Sequence, residues 1–362
     1  MALAQGQAQP HTPIAIPRHE VTLLVDIDPL SSDPDKPKIE AVAADANGKL
    51  YAIDSAAYAD ESSKGRLFRI DPNNPVLEVA GNIPACARVL PEPFGRCFAV
   101  HFNHAGDLFI VASRLPTGAR VLRIPAADLA TGFGTITDLD GITYVSGVTG
   151  VNGLIFDENG FLFAGGSDSG GVYLIPPGGG SFTTFNAGNL IPQACRCTDN
   201  AALTCPITGP SPAGCNPQRT VSNGVTLDRK GDLFVADTAR GAIWKIDVLR
   251  DENGTPGFGG MSLLVQDPLL QGADGLIADA GNNLWVFANE RNAVVRVTPS
   301  GQVHEMAQND SHGPLEFPAG GAIVDGTLYI SNFDNNRRDN RPNTNGIGAS
   351  IAQMFIGVPA SE

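Results

Sequence analysis

Short apolar segments alternate with polar, glycine-containing turns along most of the chain. In the clearest stretch, the apolar segment Ser222-Asn-Gly-Val-Thr-Leu ends at Asp228, a turn passes through Gly231, and the next apolar segment runs to Asp237. A third apolar segment begins at Ala242. Segments of this length between turn residues, without a helical period, predict short antiparallel β-strands. The chain is therefore expected to be all-β.

The same pattern recurs six times and can be aligned on the Asp or Asn that opens the turn. These marker residues are separated by 58, 54, 71, 51 and 46 residues, which is a period close to 50, and they are Asp45, Asn103, Asp157, Asp228, Asp279 and Asp325. Repeats of this length that hold about four short strands are typical of propeller blades. The sequence predicts a six-bladed β-propeller with about four antiparallel strands per blade.

The two ends of the chain suggest how the ring closes. The sixth repeat has one further apolar strand near residues 349–356, whereas the apolar segment from Thr22 to Asp26 belongs to no repeat. Pairing this N-terminal strand with the sixth blade would close the ring and cover an open sheet edge. We therefore predict a flexible N-terminal segment over residues 1–18 and one propeller domain over residues 19–362.

Six cysteines fall into two groups within polar, Pro- and Gly-rich segments. One pair is predicted to form a disulfide between Cys86 and Cys97, and the others lie in an insertion at about residues 184–221 that is expected to form a lid, Cys195, Cys197, Cys205 and Cys215. The spacing lacks the paired Cys-x-x-Cys or histidines of a zinc site, so disulfides are favoured, and four cysteines leave three pairings open. Disulfides indicate an oxidising compartment and predict a secreted or periplasmic protein.

Composition narrows the class of partner. The formal net charge is −14, with 42% hydrophobic and 17% charged residues. This acidity disfavours a phosphate backbone, so no nucleic-acid partner is expected, and no apolar run is long enough for a membrane span. The acidity is consistent either with solubility alone or with a carboxylate-containing site for a hard cation.

One position of the repeat carries the candidate chemistry. Five residues before each marker, four of the six blades have an oxygen-bearing side chain, and the full series is Glu40, Phe98, Asn152, Asn223, Asp274 and Gly320. The first strand of each propeller blade lines the central channel, so these side chains are expected to converge and to coordinate a hard cation. The alternative interpretation is that the Asn-Gly and Asp-Gly pairs are only turn signals at strand entry.

These residues and strand motifs resemble the senescence marker protein/gluconolactonase/luciferin-regenerating family, whose architecture is shared by the paraoxonase lactonases. The resemblance covers roughly residues 20–358. It implies a small-molecule lactone or related carboxylic ester as substrate and one divalent cation, Ca²⁺ in the first instance and Zn²⁺ or Mn²⁺ otherwise. It also implies that the metal ligands are Glu40, Asn152, Asn223 and Asp274.

The predicted activity is metal-dependent hydrolysis, in which the cation polarises the carbonyl and activates water. Asp274 is the candidate general base because it lies at the metal. His312, in Ser311-His-Gly-Pro, is placed on the same face as a candidate proton shuttle, with a solvated loop histidine as the alternative. Arg240 and Arg291 either meet an anionic substrate or are solvated, and His101 is expected to point away from the channel by strand parity.

Two other functions remain open from the sequence. One is a metal-stabilised binding or scaffold propeller without catalysis, since the same fold hosts unrelated activities. The other is an enzyme similar to strictosidine synthase, which the intact four-ligand set disfavours. The sequence contains no Gly-x-Ser-x-Gly elbow, no phosphate-binding loop and no His-Glu-x-x-His motif. The oligomeric state is not predicted.

Overall fold

In the computed structural model, most of the described residues lie in β-strands, which are arranged in six sheets. The described residues are 19–27, 39–54, 65–87, 97–113, 115, 118–167, 169–185, 222–309, 313–334 and 347–361. The N-terminal segment 1–18, His312 and residues 186–221, with the four clustered cysteines of the predicted lid, lie outside the described residues.

Each sheet forms one blade, and the strands of a blade follow one another from the central channel to the rim. The first strand of the chain, β1 (Val21–Asp26), belongs to the last blade. Blade 1 contains β2 (Val42–Ala44), β3 (Leu50–Asp54), β4 (Arg66–Asp71) and β5 (Asn74–Asn82). Blade 2 contains β6 (Cys97–Phe102), β7 (Leu108–Ala112), β8 (Arg120–Ile124) and, after helix α1 (Ala126–Thr131) and strand β9 (Gly134–Thr135), β10 (Thr143–Ser146).

The other four blades have the same order. Blade 3 contains β11 (Val151–Phe156), β12 (Leu162–Gly166), β13 (Gly171–Ile175) and β14 (Thr183–Phe185). Blade 4 contains β15 (Ser222–Leu227), β16 (Leu233–Asp237), β17 (Ala242–Arg250) and β18 (Pro256–Gln266). Blade 5 contains β19 (Ala273–Ala278), β20 (Leu284–Ala288), β21 (Ala293–Val297) and β22 (Val303–Gln308). Blade 6 contains β23 (Pro318–Val324), β24 (Thr327–Asn332), β25 (Ser350–Phe355) and β1. Short 3₁₀ helices within the described residues are Pro84–Cys86, Asp140–Ile142, Pro268–Leu270 and Asn289–Arg291. The predicted six-bladed all-β propeller is confirmed.

The N-terminal strand closes the ring, as the sequence predicts. Strand β1 pairs antiparallel with β25, with Val21 opposite Met354 and Asp26 opposite Ser350. The inner edges of blades 6 and 1 are also joined, because the Ser331 hydroxyl donates to the Glu40 carbonyl at 2.8 Å. The first and last parts of the described chain therefore complete one blade, and the sheet edge that β25 would expose is covered.

The marker residues of the repeat have a backbone function. Asp228 Oδ1 accepts the Lys230 amide at 2.9 Å and the Asp232 amide at 3.0 Å, while Gly231 adopts φ 81°. The same arrangement is found at Asp45, Asn103, Asp157 and Asp279, and only the last has another residue, Asn282, at the glycine position, with φ 59°. An Asp or Asn side chain that accepts nearby amides stabilises the tight turn between the first two strands. This requirement explains why the marker recurs.

Blade 1 departs from the four-stranded pattern. A fifth strand, β9, pairs parallel with β5, and the segment around it donates Phe133 N–H to Ala80 O at 3.0 Å and Ile136 N–H to Asn82 O at 2.9 Å. This connection between β8 and β10, including α1, covers the outer edge of blade 1. A two-residue strand and a six-residue helix are too short for periodicity to reveal them.

The predicted disulfide between Cys86 and Cys97 is present in the structure. It joins the end of blade 1 to the first strand of blade 2. Both residues are buried in the apolar core between these blades. Among the described residues, no helix is long and apolar enough to cross a membrane.

Candidate functional site

The first strands of the six blades surround a channel of about 490 Å³. The four predicted ligands all line this cavity, together with neighbouring residues of their strands. Their elements are the segment before β2 for Glu40, β11 for Asn152, β15 for Asn223 and β19 for Asp274. Residues separated by more than 230 positions in the sequence are thus brought to one cavity by the closure of the ring.

Three of these side chains lie in β-bulges. In blade 4, Ser222 is opposite Asp237, but the next partner pair is Val225 and Val235, so one extra residue is accommodated at Asn223-Gly224. The same register shift occurs at Asn152-Gly153 and at Asp274-Gly275. A bulge interrupts the strict alternation of side chains and can redirect one of them. The bulge therefore accounts for polar side chains at the channel in otherwise apolar strands.

The glycines after these residues are required by close packing around the channel. A Cβ atom at Gly153 would lie 2.7 Å from Gly224 Cα, and one at Gly224 would lie 2.7 Å from Gly275 Cα. A Cβ atom at Gly275 would lie 3.0 Å from Gly320 Cα. None of these four glycines has a positive φ, and all of them lie within strands. The interpretation of Asn-Gly and Asp-Gly as turn signals is therefore wrong, because the absence of a side chain is needed for inter-strand approach.

Glu40 and Asn152 contact each other across the channel wall. Asn152 Nδ2 donates to Glu40 Oε1 at 2.9 Å, and both residues are half-buried. This hydrogen bond joins blade 3 to the segment that opens blade 1. A carboxylate can only accept a hydrogen bond, so the amide nitrogen of Asn152 must face Glu40. The amide oxygen of Asn152 therefore faces away from Glu40.

Asn223 and Asp274 each have a polar partner that follows the second strand of the same blade. Asn223 Nδ2 donates to Thr238 Oγ1 at 3.0 Å, and Asn289 Nδ2 donates to Asp274 Oδ2 at 2.7 Å. All four residues are buried. Because buried polar groups are held by their hydrogen bonds, these partners restrict the rotamers of both candidate ligands.

Thr238 and Asn289 hold candidate ligands through hydrogen bonds, and the sequence analysis missed both. Each lies ten positions after the marker of its blade, and the same repeat position is occupied by Ser113 and Ser167 in blades 2 and 3. The hydroxyls of Ser113, Ser167 and Thr238 donate to carbonyls at the start of the next blade's inner strand, namely those of Val151, Ser222 and Ala273. Comparing the repeats at this position would have revealed the series.

The donor set fits an oxygen-liganded cation. It contains two carboxylates and two amides, and Asn223 Oδ1 is buried and accepts no hydrogen bond among the described residues. A buried carbonyl oxygen without a partner is costly unless a ligand satisfies it. The part of the chain that the structure describes has no group of three or more His, Cys, Asp or Glu side chains that could hold a metal. A cation at this site would therefore depend on the two amides as well as on the two carboxylates.

The structure corrects the predictions for two arginines. Arg240 is 1% exposed, and its Nη1 pairs with Asp237 Oδ2 at 2.8 Å, so it lies in the blade interior. Arg291 pairs through Nη2 with Glu305 Oε2 at 2.6 Å. Both are engaged in ion pairs within their own blades, and Arg240 is not solvated, whereas the Arg291 side chain is 23% exposed.

His101 is among the residues that line the channel, and its ring centroid lies 6.3 Å from that of Phe156 in blade 3. The register of β6 shifts between Cys97 and Val100, so strand parity counted from residue 98 does not fix the direction of the His101 side chain. Burial lowers the pKa of His101, although the hydrogen bond between its Nδ1 and Phe102 O, at 2.7 Å, opposes this effect. His101 is thus a desolvated imidazole on the same channel.

Comparisons with known proteins agree with the fold and with the strand motifs. Residues 214–334 match the family model described as "SMP-30/Gluconolactonase/LRE-like region". This part of the chain resembles that family. The match includes Asn223 and Asp274, and the resemblance predicted from the sequence is confirmed. A search of curated proteins found no match to the chain.

Solved structures of the SMP-30/gluconolactonase type are similar over most of their length. A luciferin-regenerating enzyme is 13% identical with a TM-score of 0.59, covering 94% of this chain and 97% of its own. Regucalcin from Agrobacterium tumefaciens, described as a calcium-binding protein, is 15% identical with a TM-score of 0.55 and coverages of 90% and 92%. A gluconolactonase from Xanthomonas campestris is 14% identical with a TM-score of 0.53 and coverages of 98% and 99%. At these identities, the likeness establishes the propeller fold alone.

Proposed function

We propose that the protein is a divalent-metal-dependent hydrolase of lactones or related carboxylic esters. The observation that carries this proposal is the convergence of four oxygen-bearing side chains at equivalent repeat positions around one channel. Three of them lie at β-bulges, and register shifts also occur in the inner strands of blades 2 and 6, so the oxygen-bearing side chains, and not the bulges, distinguish these four positions. The resemblance to the SMP-30/gluconolactonase family supports the same conclusion.

Glu40, Asn152, Asn223 and Asp274 would hold the cation, and Ca²⁺ suits this set because it prefers carboxylate and carbonyl oxygens. A cation held there supplies Lewis-acid polarisation of a carbonyl and lowers the pKa of a bound water. Asn152 orients the Glu40 carboxylate through its 2.9 Å hydrogen bond, and Asn289 orients that of Asp274. The side-chain amides of Asn152 and Asn289 thus each restrain one of the two carboxylates at the channel.

Asp274 is the proposed general base. It would accept a proton from the attacking water as the new carbon–oxygen bond forms, and the ester carbon–oxygen bond would then break. The proton would pass to the alkoxide leaving group, so the base is regenerated. The donor from Asn289 to Asp274 Oδ2, at 2.7 Å, keeps the carboxylate in one orientation for this transfer. His312 is retained as a proposed proton shuttle on the basis of its sequence position.

The channel suits a small molecule. A volume of about 490 Å³ lies within the usual range for small-ligand sites. Alanine and valine residues of the inner strands contribute an apolar wall beside the polar ligands. A lactone combines an apolar ring with one polar ester group, which matches such a lining. The disulfide between Cys86 and Cys97 supports the proposal that the protein works in a secreted or periplasmic setting.

The test is a pH-stat assay of acid release from aliphatic, aromatic and sugar lactones, with Ca²⁺ and with chelator. We expect turnover that chelator abolishes and Ca²⁺ restores, because the carbonyl and the water would both require the cation. Glu40→Gln should lose this turnover, whereas Glu78→Gln, which changes a carboxylate paired with Arg69 on the blade surface, is the matched control. Metal binding without turnover on any lactone would contradict the proposal and favour a binding propeller.

A further inference from the structure

Thr238 connects two of the proposed ligands. It follows β16 directly and is buried. Its Oγ1 accepts from Asn223 Nδ2 at 3.0 Å and donates to the Ala273 carbonyl at 2.7 Å. Ala273 is the residue immediately before Asp274, so one hydroxyl contacts the Asn223 side chain in blade 4 and the backbone that carries Asp274 in blade 5.

The chemistry of the hydroxyl determines which way the Asn223 amide faces. A threonine hydroxyl has a single proton, and a backbone carbonyl can only accept, so the proton is donated to Ala273 O. Toward Asn223 the hydroxyl can therefore act only as an acceptor. A flipped amide would place two acceptors against each other, and only the amide nitrogen satisfies the contact. The Asn223 oxygen must then lie on the opposite side.

The Asn223 oxygen has the environment expected of a ligand atom. Asn223 lines the channel, and its Oδ1 is buried without a hydrogen-bond donor among the described residues. A hard cation is bound by amide oxygens and not by amide nitrogens. The orientation that Thr238 imposes is thus the one in which Asn223 can coordinate.

We infer that Thr238 is a positioning residue that fixes the Asn223 amide with its oxygen toward the cation and aligns it with Asp274. This inference rests on the proposed function. Thr238 does not touch the reacting atoms in this view and acts through the two ligands that it joins. It extends the site from its four ligands to the hydroxyl that couples two of them.

Blade 3 offers a matched control in Ser167. This residue occupies the same repeat position, and its hydroxyl makes the same type of inter-blade hydrogen bond, to Ser222 O at 3.1 Å. The Ser167 hydroxyl thus contacts the backbone just before a proposed ligand, as Thr238 does at Ala273, but only Thr238 also contacts the side chain of a proposed ligand, Asn223. Removal of either hydroxyl should weaken the packing between blades, but only the loss of Thr238 should release a ligand amide.

The experiment is calorimetric titration of the full chain with Ca²⁺ for the variants Thr238→Val, Thr238→Ser and Ser167→Ala. Val keeps the shape of Thr but removes the hydroxyl, so we expect the Ca²⁺ dissociation constant to rise about 10- to 100-fold, as is usual when a group that orients a ligand is lost. Ser retains the hydroxyl and should restore the affinity. Ser167→Ala should retain Ca²⁺ affinity while its thermal unfolding midpoint falls as in Thr238→Val. If Thr238→Val does not fold, Thr238→Ala provides the same test.

The second readout is the NMR signal of the Asn223 side-chain amide, assigned by its loss in Asn223→Asp. In the wild type and Thr238→Ser, the amide protons should be protected from exchange, and in Thr238→Val they should exchange faster. Unchanged Ca²⁺ affinity and unchanged amide exchange in Thr238→Val would overturn the inference. A wild-type protein that binds none of Ca²⁺, Zn²⁺ or Mn²⁺ would instead overturn the proposed function, and the amide exchange would then decide alone whether Thr238 fixes Asn223.

Discussion

The inner strands carry Asp and Asn residues at both ends, and the two ends use them differently. At the turn end, Asp228 Oδ1 accepts the amides of Lys230 and Asp232 from its own turn. At the channel end, the Asp274 carboxylate accepts from the side chain of Asn289, and the Asn223 amide donates to Thr238. A carboxylate that accepts backbone amides of its own turn stabilises the backbone. A side chain that is held by another side chain, as Asp274 and Asn223 are, is instead positioned for a ligand. The hydrogen-bond partners, and not the residue type, distinguish the two roles.

The strongest test of this comparison exchanges a carboxylate for an amide at the channel end. Asp274→Asn should lower kcat by about 10²- to 10⁴-fold, because an amide cannot act as a general base. The thermal unfolding midpoint without metal should change little, since the new side chain has nearly the same shape. Lactone turnover and thermal unfolding would be measured on the same preparations. Full turnover with metal still bound would contradict the assignment of Asp274 as the base.

Removal of the marker carboxylate at the turn end should lower the stability of the protein and leave its turnover nearly unchanged. Asp228→Ala removes the acceptor of two backbone amides, at 2.9 and 3.0 Å, and should lower the free energy of unfolding by about 1–3 kcal/mol. The kcat of the folded protein should be close to that of the wild type, because the turn lies at the other end of the strand. Urea unfolding and turnover distinguish the two effects. A loss of turnover as large as that of Asp274→Asn, without a loss of stability, would break the comparison.

A smaller effect, on the pH dependence of the free energy of unfolding, is expected from His101, which is among the residues that line the channel. Burial lowers its pKa in the folded protein, so below about pH 6.5, the usual value, the unfolded chain binds a proton that the folded chain refuses. The free energy of unfolding should therefore decrease as the pH falls through this range and be fully retained above it. Urea unfolding at pH 7.5 and pH 5.5 should show this decrease in the wild type and a smaller one in His101→Gln. His304→Gln, which replaces an imidazole on β22 in blade 5, is the control, and an equal decrease in the wild type and His101→Gln would refute the prediction.

Much of the fold was predictable because the repeat is local. Five of the six marker residues accept amides of their own turn, within a few residues of sequence, so the copies could be recognised from the sequence alone. The closure by β1 was also predictable, since an unassigned strand and an incomplete blade have one obvious pairing. The edge formed by β9 and α1 was missed, because these elements are short and are held by contacts with Ala80 and Asn82 of another blade.

The sequence by itself determined the number of blades, the ring closure and the equivalent positions that hold Glu40, Asn152, Asn223 and Asp274. Only the tertiary structure decided that Asn-Gly and Asp-Gly are bulges packed against neighbouring glycines, that His101 lines the channel and that Thr238 and Asn289 hold the candidate ligands. These features arise from contacts between strands and blades, and one inserted residue in a strand reverses the side-chain alternation beyond it. The pattern of residues along the chain therefore predicts the blades and the equivalent positions within them. The contacts between blades form only when the ring has closed.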